Sequence, residues 1–140
     1  MLPFAVLITA AAIAPPPVPA WINRAVQGPY VTYRLADVLG TPPAEGIVVN
    51  RDTTSHTVTV NVVDSRFNPP QIVNLHELPG SQVRWLRAGT RDGLQRSEIA
   101  VDVVNGTHET AYLLRVGKGL NLPIVRKVSG HGLKPTLFSQ

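Results

Sequence analysis

Residues 98–116 read EIAVDVVNGTHETAYLLRV, two alternating β-type runs that meet at Asn105-Gly106, a dipeptide strongly preferred in two-residue hairpin turns. With that pair as the turn, Val104 faces Thr107. Ile99, Val101 and Val103 then share one face with Tyr112, Thr110 and His108, and Asp102 stands opposite Glu109 on the other. Two opposed acids call for a cation between them, and Arg96 and Arg115 are the nearest in the chain. Without one, the pair could share a proton or contribute to a hard-cation site, although calcium needs more oxygen ligands than these two residues supply.

Working outward, the same period recurs. TVTVNVV at residues 57–63 puts Val58, Val60 and Val62 on one face and Thr57, Thr59 and Asn61 on the other, a buried side and a wet side. It pairs with residues 47–49 across the polar loop 50–56. YVTYRL at residues 30–35 starts cleanly after Gly28-Pro29. Residues 71–78 and 82–88 read as a further pair joined by a type II turn at Pro79-Gly80. On the second of these, Trp85 shares a face with Val83 and Arg87, and Arg84 points the other way. Residues 122–128 give a last strand, with Pro123 acceptable only at an edge or a start.

Thirteen prolines and eleven glycines lie largely between these runs, which excludes long helices. The expectation is an all-β chain of seven to eight short strands: an antiparallel sandwich, jelly roll or small barrel, with extended arms at both ends. The domain boundaries are 1–20 for an apolar N-terminal arm or signal segment, 21–128 for a single β domain and 129–140 for a C-terminal tail.

A chain of 140 residues is long enough to bury its own core, and with no cysteine it has neither disulfides nor thiolate chemistry. Charged residues are only 16% of the total, so apolar surface is either internal or covered by a partner. Residues 2–20, LPFAVLITAAAIAPPPVPA, are too short for a membrane span once the prolines begin, and no Lys or Arg precedes the apolar run as a secretory signal requires. Three readings stand: an arm docked on its own or a neighbouring subunit, an export signal cut before Trp21, or a membrane-contacting peptide.

No motif for catalysis emerges. The four histidines are isolated, and neither a serine elbow nor a glycine-rich phosphate loop is present. No catalytic residue, cofactor or metal is assigned. Net charge is +4 and ten of the thirteen basic residues are arginine; from Thr110 onward there are basic residues and no acid. Arg84, Trp85, Arg87, Arg91, Arg96, Arg115, Lys118, Arg126 and Lys127 are therefore the candidate contacts for a polyanion or a protein interface.

The functional expectation is a non-enzymatic structural or assembly protein, of the type found in virions as capsid, decoration or tail component. It would be a homo-oligomer built through its arms, with other structural proteins as further partners, nucleic acid possible and no membrane role. The alternative is a secreted or periplasmic β-sandwich binding module that presents Trp21, Tyr30, Tyr33 and Trp85 on a ligand face.

Overall fold

The computed structural model describes residues 18–26, 30–52 and 54–139. Residues 1–17 of the expected arm or signal segment lie outside them. The described elements are a short helix α1 (Ala20–Ala25) and strands β1 (Tyr30–Ala36), β2 (Glu45–Asp52), β3 (Thr57–Asp64), β4 (Gln71–Pro79), β5 (Gln82–Ala88), β6 (Glu98–Asn105), β7 (His108–Arg115) and β8 (Ile124–Gly130). β1-β2-β3-β4 form sheet I and β5-β6-β7-β8 form sheet II, every neighbouring pair antiparallel. The chain is thus an all-β sandwich of two four-stranded meanders, and among the described residues there are no crossovers of the jelly-roll kind.

The alternation read from the sequence supplies the layer between the sheets. Ile47, Val49, Val58, Val60, Val62 and Leu78 from sheet I meet Leu86, Ile99, Val101, Val103, Tyr112 and Leu114 from sheet II. Residues 120–122 bond to the outer edge of β4. The Leu75 N–H donates to the Leu120 carbonyl at 2.8 Å, and the Leu122 N–H donates to the Leu75 carbonyl at 3.0 Å.

Three expectations about register are corrected. The hairpin turn is Gly106-Thr107 rather than Asn105-Gly106, because Asn105 itself pairs with His108. Gly106 has φ +64°, suiting a turn with glycine at its first central position. Every cross-strand partner moves by two residues, so the faces survive but Asp102 stands opposite Ala111 and Glu109 opposite Val104. Second, β4 and β5 do not pair: Pro79 to Ser81 is the corner between the two sheets. The Gly80 N–H donates to the His56 carbonyl at 2.9 Å and the Ser81 N–H to the Val104 carbonyl at 3.1 Å. Third, the ladder between β5 and β6 slips between Val83 and Trp85, leaving Arg84 as the extra residue of a bulge. Val83 packs inward, whereas Arg84, Trp85 and Arg87 all reach the outer layer of sheet II.

Gly80 is the tightest of these positions. Its φ is +139°, and a Cβ there would lie 2.9 Å from the Val104 carbonyl oxygen and against Val103. Gly80→Ala should therefore destabilise by about 2 kcal/mol or more through crowding and backbone strain. A drop in urea midpoint at unchanged slope checks this; an unchanged midpoint would mean the corner is looser than described.

Both outer faces are partly covered. α1 lies on sheet I, burying Ile22 and Val26 against Val48 and Val63 over the side-chain-free Gly46, where a Cβ would come within 2.8 Å of Ile22 Cδ1. The side of β3 read as wet is accordingly covered at one end: Thr57 and Thr59 stay half-buried, but Asn61 is buried, and its Nδ2 donates to the Val48 carbonyl and to Asn50 Oδ1. On sheet II, residues 131–139 fold back over Ala100, Ala111 and Leu113 and bury Phe138. β8 itself continues two residues beyond the expected boundary at Val128.

Candidate functional site

The most elaborate polar centre sits where this C-terminal segment crosses sheet II. Asp102 on β6 and Glu109 on β7 are diagonal neighbours, and the bulge at Arg84 turns a guanidinium between them. Arg84 Nη1 donates to Glu109 Oε2 at 2.5 Å and to Asp102 Oδ2 at 3.3 Å. The expected cation is therefore Arg84 and not Arg96 or Arg115. Glu109 also accepts the N–H groups of Gly132 at 2.7 Å and Leu133 at 3.1 Å, and so anchors the folded-back segment.

Asp102 is fully buried, and its Oδ1 has no hydrogen-bond partner among the described residues. Burial first, then the adjacent Glu109 carboxyl, pushes Asp102 up to about 7. Glu109 is held down at about 2 by the hydrogen bond from protonated Asp102, by Arg84 and by the two backbone donors. The pair shares one proton in mid-range pH. It holds the terminal segment in place, and Glu109 also lines a groove with His108, Thr110, Ser129, Gly130 and His131.

Trp85 and Arg87 serve the same segment. Trp85 Nε1 donates to the Leu133 carbonyl at 3.0 Å, and Arg87 Nη1 donates to the Pro135 carbonyl at 2.7 Å. Arg115 pairs with Glu98 at 3.2 Å directly across the β6–β7 ladder. Arg126 lies 5.6 Å over the Phe138 ring. Lys118 is exposed in the loop after β7 and Lys127 on β8. The nine candidates thus divide among separate places rather than forming one basic face.

Arg91 and Arg96 alone line a second feature, a cleft between the end of β1 and the 3-10 turn Thr90–Asp92. They are joined there by Arg34, which the sequence reading passed over. Its Nη1 donates to the Leu86 carbonyl at 3.0 Å and its Nη2 bridges Asp92 at 2.9 Å, tying β1 to β5. Arg34 could have been recognised as the one charged residue of its strand.

Glu45 was also missed. It is completely buried at the start of β2, accepts the Val38 and Leu39 N–H groups on Oε1 and leaves Oε2 unpaired; burial raises its pKa. It pins the loop between β1 and β2.

The four aromatics of the alternative reading do not share one face: Tyr30 is exposed with its ring edge-on to Tyr33 at 6.3 Å, and Trp85 stands apart from both. Trp21 and Tyr33 pack in the α1 layer on sheet I, whereas Trp85 packs under the C-terminal segment on sheet II. Among the described residues no three metal-ligating side chains converge, and no helix is long and apolar enough to cross a membrane. No family model, curated protein or solved structure matches the chain.

Proposed function

We propose that this chain is a non-enzymatic structural protein that assembles with copies of itself, as a capsid, decoration or tail component of a virion does. Residues 1–17 of one copy would dock as an added strand on β8 of the next. The observation that carries this reading is the outer edge of β8. Among the described residues no strand pairs with that edge, and it exposes Ile124 and Val125 at 38% and 41%. Unpaired backbone beside exposed β-branched side chains is the usual template for strand addition. The apolar run at residues 2–14 exceeds the seven residues of β8 and carries Val6, Ile8, Thr9 and Ile13 to meet them.

The start of α1 argues for retention of the preceding segment. The Pro19 carbonyl accepts the Ile22 N–H at 3.0 Å and the Asn23 N–H at 3.3 Å. A cut before Trp21 would remove that acceptor and Val18, which packs beside Ile22. The exported module of the alternative reading would lose part of the layer covering sheet I.

Deleting residues 1–17 and comparing sedimentation with the full chain tests the proposal. The full chain should sediment as an oligomer and the truncated chain as a folded monomer. Equal oligomers, or a monomeric full chain, would refute assembly through the arm.

A further inference from the structure

We infer that the cleft between the end of β1 and the Thr90–Asp92 turn is a binding site for a phosphate group, gripped by the guanidiniums of Arg91 and Arg96. The inference is independent of how the chain assembles. It starts from how this protein treats its other arginines. Five of the ten, Arg34, Arg66, Arg84, Arg87 and Arg115, lie within ion-pair distance of an Asp or Glu of the same chain, and of those with no ion pair among the described residues Arg24, Arg51 and Arg126 stand outside the cleft. Arg91 and Arg96 are exposed and make no ion pair among the described residues; the contact of Arg96 is a long one, from Nη1 to the Gly40 carbonyl at 3.5 Å. Both nevertheless line the same concavity.

The carboxylates that share the cleft are already engaged. Asp92 is bracketed by Arg34 at 2.9 Å and Arg87 at 3.4 Å. Asp37 accepts the Gly40 N–H at 2.8 Å. Three guanidiniums against these two acids leave the lining net positive, with the surplus on the two arginines that are free to turn toward a ligand. The floor is stiff, because Arg34 ties β1 to the Leu86 carbonyl and Asp92 accepts the Ala88 N–H. An incoming anion therefore meets a formed concavity and has only the two side chains to order.

The geometry favours phosphate over carboxylate. One guanidinium fork satisfies both oxygens of a carboxylate, whereas two forks from separate positions match the three oxygens and higher charge of a terminal phosphate. Arg91 sits on the turn and Arg96 precedes β6, so the two forks come from separate segments of the lining. The phosphate could belong to a free oligophosphate or to a nucleic-acid backbone, and both present the same group to the same forks.

The test is titration of the full chain with pyrophosphate and, separately, with a short oligothymidylate, followed by amide chemical shifts and calorimetry. Saturable binding is expected with pyrophosphate, with shifts centred on Thr90, Arg91 and Arg96. The Arg91→Gln/Arg96→Gln double variant should weaken it by about tenfold or more, and added salt should weaken it too. Arg126→Gln/Lys127→Gln, on β8, should leave it unchanged. Displacement of pyrophosphate by the oligonucleotide would assign the site to a nucleic-acid backbone, and lack of displacement to free phosphates. The inference is overturned if no saturable binding occurs, if the shifts map elsewhere, or if the folded double variant binds as well as the wild type.

Discussion

Asp102→Asn is expected to be more stable than the wild type at about pH 8 and to lose most of the wild type's decline in stability above about pH 5. The native Asp102 carboxyl keeps its proton up to about 7, whereas an unfolded aspartate releases it near 3.8. Between those values the folded chain binds more protons than the unfolded one, so stability falls as pH rises. Above the window a second negative charge is forced beside Glu109 in a buried place with a single half-exposed guanidinium to offset it. The wild type should lose on the order of 3 kcal/mol across the window, and the neutral asparagine should avoid that loss.

Glu109 acts with the opposite sign. Its depressed pKa contributes stability that is present above 4.5 and disappears as pH falls toward 2, so the optimum lies on the acid side of neutral. Glu45, also raised by burial, leaves a residual slope of the same sign as Asp102. Urea midpoints at a series of pH values separate these contributions. A variant that is less stable than the wild type at about pH 8, or that keeps the full slope, would show that Asp102 is ionised in the native state.

Phe138→Ala should cost about 3 kcal/mol, and removal of residues 131–140 should cost more and expose an aggregation-prone face. Phe138 is 8% exposed although only Ser139 and Gln140 follow it, and Leu94, Ala100, Ala111 and Leu113 depend on this segment for cover. The truncation also strips Glu109 of two N–H donors and Trp85 of its acceptor. Gly93 marks how closely the segment seats, because a Cβ there would lie 2.7 Å from Ser139 Cβ. Thermal unfolding and binding of a hydrophobic dye check both variants. If the truncated chain kept the wild-type midpoint without dye binding, the segment would be an ornament on a self-sufficient sandwich.

The inner layer was legible because period-two alternation at residues 57–63 and 98–116 reports burial on one face directly. The outer layers were less so. Alternation assigns the second face to solvent, yet Ala100, Ala111 and Leu113 form an apolar second face on the central hairpin, and Leu113-Leu114 buries on both sides at once. Such doubly apolar strands were the available signal that a further segment covers sheet II. The turn missed by one residue because Asn-Gly and Gly-Thr are both good turn pairs, and only the ladder chooses between them.

Of the site, the Asp102–Glu109 proximity could be read and its cation could not. Arg84 reaches the acids through a bulge, and a bulge breaks the alternation by which strand residues are assigned to faces. The pairing of β5 with β6 instead of β4 has a similar origin: Pro79-Gly80 serves a corner between sheets as well as it would serve a hairpin. Arg91 and Arg96 were recognisable as candidate contacts, but their partner Arg34 lies more than fifty residues away and meets them only through the approach of β1 to β5.

Native mass spectrometry of the intact protein tests the central claim of assembly through a retained arm most directly. The account predicts a particle whose mass is a multiple of about 15.1 kDa, built of subunits that each begin at Met1 or Leu2. A monomer that begins at Trp21 would contradict it.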